Sequence, residues 1–151
     1  ARVRPVLEKM GSEIFHCGRT GAGHATKALN NYLGAAGTIA GFEALLIGRA
    51  FGLDPETLID VINASTGKNS TTERKIPQQV FTKAFASGFK LALMAKDVGI
   101  AAQLSRDTGV PAPYLKQTLR HWRNAERALR AGADHTEIYK YLQSLKRRRS
   151  T

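Results

Sequence analysis

Residues 24–51 read HATKALNNYLGAAGTIAGFEALLIGRAF, and this stretch decides the fold class. Its apolar residues recur at helical spacing and no proline interrupts them, so it predicts one long helix from about His24 to Phe51. Glycines at positions 34, 37, 41 and 48 lie inside it. Each costs about 1 kcal/mol relative to alanine in a helix interior. Close approach of a neighbouring backbone would offset that cost, so we expect a central helix buried on several sides.

The chain after this helix predicts more helices. Gly52 ends the long helix, and Asp54, Pro55 and Glu56 supply an N-cap, a first-turn proline and a first-turn acid for the next one, which runs to about residue 64. Further helices are predicted at about 77–86, 89–108, 112–131 and 134–145, with a loop at 65–74. Asp134 and Glu137 have the spacing of a capping box. The sequence therefore predicts an all-α, multi-helix domain built on a long central helix.

The segment before the long helix has a different pattern. Residues 4–11 predict a helical turn or two that Gly11 ends, and residues 13–17 predict a short strand. Gly18, Gly21 and Gly23 then form a glycine-rich turn. Their G-x-x-G-x-G spacing is the reverse of a dinucleotide fingerprint, and no strand–helix–strand unit follows. The turn is better suited to bringing backbone N–H groups close to a ligand at a helix N-terminus.

The composition limits the class of protein. The 151 residues are 42% hydrophobic and 23% charged, as in a soluble globular domain. We expect no apolar run of the roughly 18 residues that a membrane helix needs, and no signal segment. The single Cys17 excludes a disulfide framework and fits a reducing, cytoplasmic compartment. A start without Met suggests a fragment or a processed chain.

The net charge of +11 is high for this length, and Lys146, Arg147, Arg148 and Arg149 supply four of the positive charges. Such a block is usually a solvated tail, and nucleic-acid binding is the second interpretation. A carboxylate- or phosphate-bearing ligand would be a further reason for the excess of positive charge.

Lys27 and Asn31 are four residues apart, so they share one face in the first turns of the long helix. A lysine there faces the positive end of the helix dipole, which favours the neutral amine that a general base needs. A solvated lysine and a locally bonded asparagine remain the alternative.

Two other groups of residues bear on function. Lys96 and Asp97 interrupt an apolar helix, and Phe89 lies seven residues before Lys96, on the same face, so they could be a surface pair or could line a cleft. His16 and Cys17 would point to opposite faces of a strand, and the other histidines have no partner at ligand spacing. We therefore predict no metal site.

A run of motifs resembles one enzyme family. Gly21-Ala-Gly-His-Ala-Thr-Lys27-Ala-Leu-Asn-Asn31 is similar to the G-x-G-x-x-x-K-x-x-N-N signature of the β-hydroxyacid dehydrogenases, of the 3-hydroxyisobutyrate dehydrogenase and tartronate semialdehyde reductase type. Phe89, Lys96-Asp97 and Gly109-Val-Pro111 follow in the family's order. The resemblance covers roughly residues 5–145.

The resemblance implies a role for each matched residue. Lys27 would be the catalytic lysine, exchanging a proton with the substrate hydroxyl while hydride passes between substrate and NAD or NADP. Asn31, Phe89 and Asp97 would bind substrate, Gly21 and Gly23 would let backbone amides approach it, and Lys96 would contact the cofactor. The family uses no metal.

The resemblance also implies how the chain is organised. Residues 1–20 would be the tail of a Rossmann domain whose phosphate loop lies upstream. Residues 21–146 would be the helical, 6-phosphogluconate-dehydrogenase-like domain for catalysis and oligomerisation, and 147–151 a basic tail. The expected partners are a small β-hydroxy acid or semialdehyde, the chain's own Rossmann domain and further copies in a homodimer or larger oligomer. Neither a membrane nor a nucleic acid is expected as a partner. The fragment alone should be inactive. The alternative is a basic helical module that binds nucleic acid or serves assembly without catalysis.

Overall fold

The computed structural model describes residues 3–147, and that part of the chain is helical with no strand. The all-α prediction is confirmed. The elements, in chain order, are α1 (Arg4–Leu7), α2 (Ala22–Phe51), α3 (Pro55–Asn63), a π-helix (Thr71–Phe81), α4 (Leu91–Asp107), α5 (Pro113–Ala128), a 3-10 turn (His135–Glu137) and α6 (Ile138–Arg147). The predicted basic tail, apart from the backbone of Arg147, lies outside the described residues.

The central position of α2 is confirmed. It contacts α3, the π-helix, α4, α5 and α6, and its Phe42 and Leu45 are fully buried in the core. The expectation that no segment is long and apolar enough for a membrane span is wrong for α2, whose 30 residues include a window of mean hydropathy 1.2. One such helix does not by itself indicate a membrane span, because the core helix of a globular protein can meet the same criteria of length and composition.

The glycines of α2 serve two different purposes. A Cβ at Gly41 would come 3.2 Å from Cγ2 of Thr71, and one at Gly48 would come 2.3 Å from Cδ2 of Leu58. These two positions therefore permit close packing, although against side chains and not against the neighbouring backbone that we expected. A Cβ at Gly34 would meet nothing within 4 Å. Gly34 leaves open space beside the helix.

The helix starts follow the predicted capping chemistry. The Asp54 carboxylate accepts a hydrogen bond of 2.8 Å from the Thr57 N–H at the start of α3. The side chain and backbone of Asp134 and Glu137 form the predicted capping box before α6. Local side-chain bonds are sufficient to set these boundaries.

The strand predicted at residues 13–17 is not formed. A strand needs a partner for its backbone N–H and C=O groups, and the described residues provide none beside this segment. Its residues form no regular secondary structure and are mostly exposed.

The segment around Pro77 also differs from the prediction. We expected a loop at 65–74 and a helix that begins near Pro77, but a π-helix already begins at Thr71 and Pro77 lies inside it. Proline has no N–H, so the carbonyl of Thr72, five residues earlier, lacks its π-helical donor. Asn63 Nδ2 donates to this carbonyl at 3.2 Å. A residue of α3 thus satisfies the group that Pro77 leaves free.

The helix predicted at 112–131 ends at Ala128 because the following residues pair with another segment. Leu91 N donates to the Ala133 carbonyl at 2.8 Å, and His135 N donates to the Phe89 carbonyl at 2.8 Å. This short antiparallel pairing holds the start of α4 against the 3-10 turn. It brings Phe89 and His135 together at the edge of a cleft.

Candidate functional site

A cleft of about 620 Å³ opens along the N-terminal half of α2. Its walls come from α2, the π-helix, α4 and the 3-10 turn, and its lining residues are Lys27, Asn30, Asn31, Leu33, Gly34, Ser70, Arg74, Lys75, Phe89, Met94, Asp97 and His135. Lys27, Asn31 and Gly34 follow one another at helical spacing, so they form one stripe on α2. The sequence-predicted residues Lys27, Asn31, Phe89 and Asp97 therefore share this cleft.

Asn31 is held in place by α4. Its Nδ2 donates to Oδ2 of Asp97 at 2.6 Å. The other carboxylate oxygen of Asp97 lies 3.6 Å from Lys96 Nζ, so Asp97 has partners on both sides. Because Asn31 donates to Asp97, its amide oxygen faces other groups, and Asn30 Nδ2 approaches that oxygen at 3.4 Å.

Lys27 stands one turn before Asn31 and is exposed at the mouth of the cleft. Within residues 3–147 its ammonium makes neither a hydrogen bond nor an ion pair. A lysine without an internal partner can exchange a proton with a ligand that enters beside it.

Lys75 was missed in the sequence, where it falls between the loop predicted at 65–74 and the helix predicted from Pro77. Its Nζ donates to Thr38 Oγ1 at 2.8 Å and to Thr71 Oγ1 at 3.4 Å. Burial, with a smaller contribution from the positive charge of Arg74, lowers the pKa of Lys75 to about 8. The sequence held one signal for this part of the cleft. Thr38, the partner of Lys75, lies seven residues after Asn31 and hence on the same face of α2.

His135 was also missed, having been considered only as a metal ligand. It is buried between the rings of Phe89 and Trp122, at centroid distances of 5.6 Å and 6.5 Å. Its Nδ1 lies 2.9 Å from Ser87 Oγ and 3.2 Å from the Phe89 carbonyl. Burial, together with the charge of Lys75, lowers the pKa of His135, so its imidazole is neutral at pH 7.

Three predicted residues lie outside the lining of the cleft. Lys96 borders a neighbouring groove between α4 and α5, and its side chain is 63% exposed. Gly21 is the N-cap of α2 with φ +91°, a conformation that favours glycine, whereas a Cβ at Gly23 would meet nothing within 4 Å. Among the described residues, no three His, Cys, Asp or Glu side chains come together to hold a metal ion.

Comparison with known proteins places the chain in a family of oxidoreductases. A family model described as "NAD-binding of NADP-dependent 3-hydroxyisobutyrate dehydrogenase" matches residues 21–142. The chain belongs to this 3-hydroxyisobutyrate dehydrogenase family, as the Lys27 signature predicted.

Individual relatives agree with the family assignment. A probable 3-hydroxyisobutyrate dehydrogenase of Mycobacterium bovis is 40% identical over 91% of this chain and 47% of its own length. A 2-(hydroxymethyl)glutarate dehydrogenase of Eubacterium barkeri is 38% identical over 74% of this chain and 37% of its own length. The solved structure of Mycobacterium tuberculosis 3-hydroxyisobutyrate dehydrogenase with L-serine aligns at a TM-score of 0.83 and 34% identity, over 93% of this chain and 50% of that one. The chain thus spans about half or less of these relatives.

Proposed function

We propose that this chain is the helical, catalytic-lysine part of an NAD(P)-dependent dehydrogenase that acts on a small β-hydroxy acid. One observation carries the proposal: Lys27 and Asn31 share one face of α2 and line one cleft with Phe89 and Asp97. The family assignment supports the reaction class, and its description supports a nicotinamide cofactor. A Rossmann domain, of which residues 1–20 would be the last part, would complete the site.

The described residues fit one end of such a cofactor. The cleft is roomy enough for a nicotinamide ring and a small acid side by side, whereas the glycine turn at residues 18–23 follows no strand and is unsuited to a dinucleotide's phosphates. Lys96, exposed on α4 next to Asp97, is the residue here that would reach the cofactor. When bound, the nicotinamide takes up or releases the hydride.

The residues of this chain handle the proton and the orientation of the substrate. In the oxidation direction the neutral amine of Lys27 accepts the proton of the substrate hydroxyl, and in reduction the ammonium returns it to the forming alcohol. Asn31, fixed by its 2.6 Å bond to Asp97, would orient the substrate hydroxyl beside Lys27. Phe89, half-buried over the cleft, would exclude water from the reacting atoms.

The test uses the complete protein with its nucleotide-binding domain. Wild type should oxidise 3-hydroxyisobutyrate with NAD+ or NADP+, and Lys27→Ala should lower kcat by roughly 10²–10⁴ because the general base is lost. Lys116→Ala, at another exposed helix lysine, is the matched control and should leave kcat unchanged. Equal turnover of wild type and Lys27→Ala would refute the assignment of Lys27.

Three further expectations belong to this proposal. The protein would act in the cytoplasm as a homo-oligomer, and residues 1–151 alone would not turn over NAD(P), because the cofactor's phosphate site would lie in the other domain. Nucleic-acid binding is the competing function for the basic block of Lys146 to Arg149 and the net charge of +11. That alternative would be favoured if the complete protein showed no dehydrogenase activity but bound a DNA duplex at low ionic strength and released it as the salt concentration rose.

A further inference from the structure

The cleft has a second cationic end, opposite Lys27. Arg74 and Lys75, neighbours on the π-helix, both line it. Among residues 3–147 neither side chain forms an ion pair. Glu73, the acid beside them in the sequence, pairs instead with Lys68 at 2.9 Å. Asp97 is the one carboxylate in the lining, and it is already engaged by Asn31 and Lys96. The lining therefore carries an unbalanced positive charge.

Lys75 is held in a fixed position. Its Nζ is bonded to Thr38 and Thr71, whose hydroxyls lie 3.1 Å apart and are themselves buried. An ammonium has three N–H donors, and these two hydroxyls leave at least one for a ligand. Burial of a cation without a counter-ion is unfavourable, which agrees with its lowered pKa of about 8. An anion bound from the cleft would relieve that cost.

The floor between the two cationic ends is open. Lys27, Asn31, Gly34 and Thr38 form a single stripe along α2, and an added Cβ at Gly34 would meet no atom within 4 Å. A ligand could therefore lie along the helix from Asn31 to the Lys75 ammonium without meeting a side chain at Gly34.

The length of this stripe sets the size of the ligand. Asn31 and Thr38 are separated by roughly 10 Å along the helix axis, and a hydrogen bond at each end takes up ~3 Å, which leaves roughly 4–5 Å. That span fits a hydroxyl and a carboxylate separated by about three carbon atoms.

We propose that Lys75, with Arg74 beside it, forms a second anion subsite that selects β-hydroxy acids carrying an additional carboxylate. This inference rests on the proposed function, because the role of Lys27 decides which end of the substrate lies at which end of the cleft. The first carboxylate and the reacting hydroxyl stay at the Lys27 end, and the additional carboxylate binds at the Lys75 end.

The kinetic test compares two acids that differ by one carboxylate in the complete protein. In 2-(hydroxymethyl)succinate a carboxylate replaces one methyl hydrogen of 3-hydroxyisobutyrate. Wild type should have the lower KM for the diacid, and Lys75→Met should raise that KM roughly 10- to 100-fold, far more than it changes KM for 3-hydroxyisobutyrate. Lys75→Arg should retain most of the preference, and Lys116→Met is the control. Equal KM values for the two acids in wild type, or equal loss for both in Lys75→Met, would overturn the proposal.

A binding measurement separates this inference from the dehydrogenase assignment. Methylsuccinate has no hydroxyl and cannot react, so calorimetric titration of the complete protein with it needs no turnover. Binding should persist in Lys27→Ala and be lost in Lys75→Met. If no β-hydroxy acid is oxidised but this pattern is found, the dehydrogenase assignment fails and the anion subsite stands. If methylsuccinate binds equally to wild type and Lys75→Met, the subsite is wrong.

Discussion

The two halves of α2 have opposite relations to the rest of the molecule. From Ala22 to Gly34 one residue, Ala28, is buried, and the polar side chains of Lys27 and Asn31 face a cleft. From there to Phe51 the helix buries a series of positions against its neighbours, namely Ala35, Thr38, Ile39, Gly41, Phe42, Leu45 and Gly48. The packed half fixes the helix, and the exposed half carries chemical groups at set positions as a rigid extension.

The largest effect on stability should come from the packed half. Phe42 is fully buried and meets the Tyr139 ring edge-on, with centroids 5.5 Å apart. Phe42→Ala should lower the free energy of unfolding by ~3–5 kcal/mol through lost burial and a residual cavity. Leu33→Ala, at a 69% exposed position of the other half, should change it by less than ~0.5 kcal/mol. Urea unfolding of both variants tests this contrast, which would fail if the two losses were similar.

An effect of intermediate size on stability is expected at Lys75. This residue donates to Thr38 in the packed half of α2 and lines the cleft beside the exposed half. Its pKa of about 8 in the folded state lies below the ordinary lysine value of 10.5, so between these pH values the unfolded chain binds more protons. The cost of burying the ammonium is fully present below pH 8 and is relieved as pH rises toward 10.5. Lys75→Met removes that cost while Thr38 and Thr71 keep their mutual bond, so it should stabilise the fold at pH 7 by roughly 1–3 kcal/mol.

Urea unfolding at pH 7 and pH 9.5 measures this difference. The stability of wild type should rise relative to that of Lys75→Met between the two pH values. A constant difference would show that burial does not perturb this lysine. Lys116→Met, at an exposed lysine of α5, is the control for loss of a positive charge.

The smallest effect on stability is expected at two glycines of α2, and the two variants should differ in ligand binding. Gly34→Ala and Gly37→Ala should each stabilise the protein by ~0.5–1 kcal/mol, because alanine favours the helix and neither new Cβ meets an atom closer than 3.8 Å. Since Gly34 alone of the two lines the cleft, only Gly34→Ala should also weaken binding of methylsuccinate. Equal binding by both variants would show that the ligand does not cross this part of the floor.

Much of the fold could be predicted because its signals are local. The long helix, the N-cap at Asp54 and the capping box of Asp134 and Glu137 each depend on residues within a few positions of one another. The wrong predictions depended on distant partners. The strand at 13–17 has no neighbour among residues 3–147 with which to pair, and the helix around Pro77 depends on a bond from Asn63 on another element. The true end of α5 depends on pairing between residues 89–91 and 133–135.

The candidate site shows the same division. Lys27 and Asn31 are four residues apart, so their common face and their family signature could be read from the sequence alone. The 2.6 Å bond from Asn31 to Asp97 joins residues on two helices, and the cleft depends on the docking of the π-helix and the 3-10 turn against α2. Lys75 and His135 became candidates only through that docking, which buries both and lowers the pKa of each. Local spacing determined which residues share a helix face, while burial and distance across elements, which decide electrostatics, came from the tertiary structure.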